Sequence, residues 1–140
     1  MSLVGNTRQR FIALQHFLAP RSVRFTKHEQ ECALEIVDRL LANRPKEDIR
    51  KIAIFLFFID AFSVLMGMHR FENLSTSKKN QVAQFFFAST IGLFRKGFYG
   101  INTLVKLSVY GQPALFSEIG YQLRPVVVKD DRNYRKQQKN

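Results

Sequence analysis

Lys51-Ile-Ala-Ile-Phe-Leu-Phe-Phe-Ile-Asp-Ala-Phe-Ser-Val-Leu-Met-Gly-Met68 is the most apolar stretch of the chain, and its only acid is Asp60. Ile52, Phe55, Phe58, Ile59, Phe62 and Met66 recur at spacings of three and four, as a helix requires. Ile54, Phe57, Ala61, Leu65 and Met68 make a second apolar face. A helix that is hydrophobic nearly all round must be covered on most sides, by lipid or by other helices. A membrane span needs about 20 apolar residues. Here the whole stretch from Ile52 to Met68 is 17 residues long and includes Asp60 and Ser63, and a carboxylate at mid-bilayer costs roughly 2.5–3.5 kcal/mol. The stretch therefore reads as a central helix wrapped by amphipathic neighbours. Asp60 then faces solvent, pairs with a cation or meets a partner.

The rest of the chain extends this all-α reading. Its 140 residues make one domain, and extended alternation of apolar and polar residues is nearly absent. We expect a single-domain helical bundle of about five helices. An amphipathic segment over 1–24 precedes a bundle over 25–122, and an extended, basic, disordered tail occupies 123–140. With one cysteine, Cys32, no internal disulfide can form.

Local signals set the helix boundaries. Phe11-Ile-Ala-Leu-Gln-His-Phe-Leu reads as a short amphipathic helix that docks on the body or on a membrane surface. Gln15 and His16 interrupt its apolar core, so it does not read as a cleaved signal. Thr26-Lys-His-Glu29 is a capping box. The helix it opens carries Ala33, Leu34, Ile36, Val37, Leu40 and Leu41 on one broad face and ends near Asn43, because Pro45 disfavours helical geometry at Arg44. Pro45 suits the first turn of the central helix, which runs to about His69. Ser75 or Ser77 caps the next helix. That helix carries Val82, Phe85, Phe86, Ile91, Phe94 and Phe98, with a kink or break expected near Gly97. The pattern resumes from Ile101 to Tyr110 and ends at Gly111. A short turn follows from Pro113 to Glu118, leading to an extended Pro125–Val128.

The net charge is +11, and its placement matters more than its size. Arg8, Arg10, Arg21 and Arg24 crowd the amino-terminal end, and Arg132, Arg135 and Lys136 lie in the tail. Such charge suits an anionic surface. No acid occurs from Asn73 to Ser117, while Lys78, Lys79, Arg95, Lys96 and Lys106 do. The helices nevertheless lack the dense basic face that specific nucleic-acid binding uses.

Catalytic and metal patterns are weak. His16, His28 and His69 lie outside any setting that activates a nucleophile. His28 and Cys32 are four apart on one helix face, but two ligands do not make a site. Gly97-Phe-Tyr-Gly100 is neither a P-loop nor a dinucleotide fingerprint. We expect no catalytic, cofactor or metal residues on this chain. Fourteen Phe exceed what one small core needs, so some should be exposed as a partner surface.

Three segments are more specific: Phe71-Glu-Asn-Leu-Ser-Thr-Ser-Lys-Lys-Asn-Gln-Val, then Phe94-Arg-Lys-Gly-Phe-Tyr-Gly, then Leu107-Ser-Val-Tyr-Gly-Gln-Pro-Ala-Leu-Phe-Ser-Glu-Ile-Gly-Tyr121. From about Phe25 to Tyr121 the chain resembles the small-subunit family of gluconate 2-dehydrogenase (subunit 3). Similar helical segments precede the flavin domain in some long-chain alcohol oxidases of the glucose-methanol-choline class. The resemblance implies a non-catalytic small subunit, or maturation partner, of a flavin-dependent alcohol, sugar or sterol dehydrogenase. FAD and the catalytic base would belong to a large flavoprotein subunit. Phe94, Phe98, Tyr99, Tyr110, Pro113, Phe116, Gly120 and Tyr121 become family-pattern or partner-binding positions. Many such subunits carry a twin-arginine export signal, which this sequence lacks. The resemblance thus leaves a cytoplasmic or membrane-peripheral setting, and a homo-oligomer stays open. The alternative is a basic helical module on an anionic membrane or nucleic acid, contacting it through Arg8, Arg10, Arg21, Arg24, Arg132, Arg135 and Lys136.

Overall fold

The computed structural model describes residues 3, 5–116, 118 and 120. Five helices appear in order: α1 Asn6–Leu18, α2 Lys27–Ala42, α3 Lys46–Gly67, α4 Thr76–Phe87 and α5 Gly92–Tyr110. Single 3-10 turns at Pro20–Arg24, Phe71–Asn73 and Pro113–Leu115 link or close them, and the described residues contain no strand. The expected 123–140 tail, Pro125–Val128 and Tyr121 lie outside the described residues.

Helix starts follow the capping chemistry. The Glu29 N–H donates to Thr26 Oγ1 at 3.2 Å, and the Thr26 N–H donates to Glu29 Oε2 at 2.7 Å, closing the capping box. The Thr26 N–H first, and the Thr26 hydroxyl after it, hold the Glu29 carboxyl below its ordinary range. Ser75 rather than Ser77 caps α4, accepting from the Lys78 N–H. Pro45 stands one residue earlier than expected, as the N-cap of α3. At its far end α3 stops at Gly67, because Met68 turns into the left-handed region at φ 56° and its N–H returns to the Val64 carbonyl.

The expected break near Gly97 does not occur. The chain breaks earlier, between Phe87 and Gly92, and α5 runs unbroken through Gly97 and Gly100. Ser89 Oγ accepts from the Ile91 N–H at 3.1 Å, so a local side-chain turn competes with helix there. Gly97 is retained for a different reason. A Cβ at this position would press into the Phe55 ring, so glycine lets α5 approach α3.

Packing is by pairs. α2 lies along α5, α1 along α3, and α4 bridges α3 and α5. One core joins Phe11 and Leu14 of α1, Val37 and Leu41 of α2, and Leu56 and Ile59 of α3 to Val82, Phe86, Val105 and Leu115. The amphipathic segment at the amino-terminal end is therefore an integral helix of the bundle. Rings from three helices interlock at the centre. Phe86 of α4 meets Phe55 and Phe62 of α3, each at 5.5 Å, and Phe94 of α5 at 5.6 Å.

α3 is not wrapped on all sides. Leu56, Ile59, Asp60 and Ser63 face inward, but Ile54, Phe57, Phe58, Val64, Leu65 and Met68 remain exposed. The expected sheath of amphipathic neighbours covers about half of this helix. The cause is topological: α2 and α3 follow one another yet hardly approach, because α2 packs on α5 while α3 packs chiefly on α1 and α4.

Candidate docking face

The exposed stripe of α3 is the first feature of the site. Ile54, Phe57 or Phe58, Ala61, Leu65 and Met68 fall three or four apart and so share one helix face. Leu65 is 80% exposed and Met68 88%. Phe85 of α4 continues the surface, stacked on Phe62 with centroids 4.2 Å apart. Phe87 and Tyr99, 4.9 Å apart, carry aromatic surface onto α5, where Ile91 and Leu93 are also exposed. Single exposed apolar residues are ordinary, whereas here several recur along one helix face and onto its neighbours, which makes this surface the candidate site.

A groove of about 710 Å³ opens beside the first half of this stripe. It lies between the end of α2, the start of α3 and the face of α5, where the backbones of α2 and α3 diverge. Buried Leu41 and Ile101 form its base, and Phe55, Phe58 and Leu104 line it. Arg44, Lys51 and Lys96 stand at its edge with one acid, Asp48, which Lys51 contacts at 3.2 Å.

Asp60, the conspicuous acid of the apolar stretch, is fully engaged. Its Oδ2 pairs with Arg10 Nε and with Arg70 Nε, each at 3.2 Å, and its Oδ1 accepts from the Phe71 N–H at 3.2 Å. It pairs with cations, the second of the three roles open to it from sequence.

The basic residues expected to serve electrostatic contact divide accordingly. Arg10 is committed to Asp60, and its guanidinium lies 5.2 Å from the Phe57 ring centroid. Arg21 is committed to Glu118 through two 3.0 Å hydrogen bonds and lies 3.9 Å from Glu29. That contact raises the Arg21 pKa and holds the Glu118 carboxyl low. Both arginines are partly buried in ion pairs within the chain, whereas Arg8 and Arg24 are exposed. Arg132, Arg135 and Lys136 lie outside the described residues.

The expected partner-binding set separates in the same way. Phe98 is a core residue, its ring parallel to that of Phe86. Phe94, Tyr110 and Phe116 are half-buried, and Tyr99, Pro113 and Gly120 are exposed. Tyr110 and Pro113 flank Gln112, whose amide donates to the Glu29 carbonyl at 3.2 Å and to the Ser108 carbonyl at 3.3 Å. This turn seats Leu115 in the core and closes the bundle against the start of α2. The sequence signal for the exposed face is the second apolar face of α3. Periodicity alone does not say which face stays uncovered.

Other polar groups do not converge. His28 Nε2 lies 3.7 Å from Cys32 Sγ on α2. Among the described residues no three His, Cys, Asp or Glu are placed to hold a metal ion. No described helix is long and apolar enough to cross a membrane. His16 is half-buried on α1, and that burial pushes its pKa below the ordinary 6.5, with smaller opposing influences of Glu72 and Lys79. In acid the unfolded chain therefore takes up this proton before the folded one does. Stability contributed by neutral His16 is complete above about pH 6.5 and is lost as pH falls through the lowered folded value. In urea titrations across pH 5–7, the His16→Gln variant should lose that part of the acid slope. An unchanged slope would place His16 in solvent.

Comparison of the chain with protein-family models, with curated proteins and with solved structures gives no match in any of the three.

Proposed function

We propose that the chain is a non-catalytic helical subunit that docks a larger partner through the uncovered face of α3 and the adjoining rings of α4 and α5. The observation that carries this is the apolar stripe from Ile54 to Met68 on a helix whose opposite face already forms the core. A residue type seldom left in water recurs there at helical spacing, so the face is built to be buried. The resemblance of the segments from Phe71 to Tyr121 favours a flavin-dependent alcohol, sugar or sterol dehydrogenase as that partner, with FAD on its large subunit. Tyr110, Pro113 and Phe116 then serve as the closure that fixes α5 against α2, a structural duty.

The test is a tagged pull-down at high salt from the native source, followed by an absorbance spectrum. A stoichiometric large subunit with flavin absorbance is expected. The double variant Leu65→Asp, Met68→Asp should weaken that complex by about a hundredfold, since each carboxylate enters an apolar interface unpaired. Both positions are exposed, so the isolated variant should keep its urea midpoint. A colourless eluate containing this chain alone would overturn the reading.

One observation favours a second reading. Between Glu72 and Glu118 no acid offsets Lys78, Lys79, Arg95, Lys96 and Lys106, and this half carries much of the exposed aromatic surface. An apolar face bordered by cations suits an anionic membrane surface. Co-sedimentation with phosphatidylserine vesicles that fades steeply with salt would support it over the subunit reading.

A further inference from the structure

We propose that the groove between α2, α3 and α5 is a binding site for one long-chain fatty acid, with its acyl chain in the groove and its carboxylate at Arg44 and Lys96. The volume, about 710 Å³, falls within the roughly 300–1,000 Å³ of small-molecule sites. That is space for one amphiphile and not for a bilayer surface. The lining is aliphatic and aromatic, and its polar groups gather at the rim. Such a division matches a molecule with one apolar body and one charged end.

Charge sets the sign of that end. Of the three cations at the edge, Lys51 is engaged with Asp48. Arg44 and Lys96 have no carboxylate partner among the described residues. A guanidinium and an ammonium left over an apolar groove attract an anion, and guanidinium geometry fits a carboxylate in particular. An amphipathic helix with acidic residues would meet the same cations. The groove's volume, however, is that of a small-molecule site, and a single amphiphile matches its apolar lining with one charged end.

Gly100 gives the clearest handle. A Cβ built on it meets no atom within 4 Å, so this position opens into free space on the groove side of α5. Leucine there occupies the ligand's volume without displacing protein, and it is a better helix former than glycine.

The test uses the full chain and cis-parinarate, a fluorescent fatty acid, held below its aggregation concentration. Palmitate and hexadecanol then compete as the charged and uncharged forms of one chain length. Saturable binding of one parinarate per chain is expected, with palmitate displacing it more strongly than hexadecanol. Gly100→Leu should weaken palmitate by about tenfold or more while the urea midpoint holds or rises. Lys96→Glu, at an exposed position, should weaken palmitate by about threefold or more and leave hexadecanol unchanged. Three results overturn the proposal: no saturable binding, equal displacement by the acid and the alcohol, or palmitate affinity indifferent to both variants. Binding of a Leu- and Glu-patterned helical peptide in place of palmitate would also overturn it. Leu65 and Met68 lie at the other end of α3, so failure of the subunit reading and failure of this one are read on separate residues.

Discussion

Phe86→Ala is expected to lower the stability of the chain by about 4 kcal/mol, the middle of the range for a fully buried phenylalanine. Phe86 is 2% exposed. Its ring lies 5.4–6.4 Å from those of Phe55, Phe62, Phe85, Phe94 and Phe98, which come from α3, α4 and α5. Truncation leaves a cavity that these rings cannot fill, because each is held by its own helix backbone, and Phe55, Phe62, Phe85 and Phe94 by further ring contacts as well. α4 has only Val82 beside Phe86 as a buried anchor, so its hold on α3 and α5 weakens at once. With total stability of about 5–15 kcal/mol in domains of this kind, the loss is a large share. Urea unfolding should show the midpoint falling by about 2 M for a slope near 2 kcal/mol per M. Phe85→Ala, one residue away but half-exposed, should cost only about 1 kcal/mol. Equal costs at the two positions would mean that the ring cluster is not the centre of the fold.

Much of this arrangement is legible in the sequence, and the features that are not share a cause. The capping box at Thr26–Glu29, the serine cap of α4 and the stop before Pro45 are local, since their partners lie within a few residues. Those features appear as the sequence predicts. Helix propensity alone puts the break between α4 and α5 in the wrong place, because it counts glycine only as a weakness. At Gly97 the close packing of Phe55 outweighs that cost, and the chain turns at Ser89 instead. The uncovered face of α3 is hidden for another reason. A helix that is apolar all round gives periodicity no direction, so which half meets α1 and α4 is decided by chain topology. The groove depends on the divergence of α2 from α3, which no local pattern encodes. Gly100 reads as a weak point in a helix, and only in three dimensions does it become an opening.

Asp60→Ala should cost about 3 kcal/mol, the second largest loss expected of a single substitution. This carboxylate joins three segments that are distant in sequence: Arg10 on α1, its own helix α3, and Arg70 and Phe71 on the link to α4. Removing it leaves the Phe71 N–H without its acceptor and the largely buried Arg10 charge without its partner. Breaking a buried pair costs about 3–5 kcal/mol. The lower end applies because Arg70 is half in solvent and screened. A cleft of about 20 Å³ beside the pair has room for one water, which limits the relief that solvent can bring. Asp60→Asn keeps an oxygen for the Phe71 N–H and loses only the charge, so about half the penalty is expected. The paired replacement Asp60→Leu with Arg10→Met should recover much of the loss, because it removes the charge together with its principal counter-ion. Urea unfolding of these variants at pH 7 separates the contributions. If Asp60→Ala costs less than about 1 kcal/mol, the carboxylate is not the tie between these segments, and an acid in the most apolar helix must be explained by a partner that meets it.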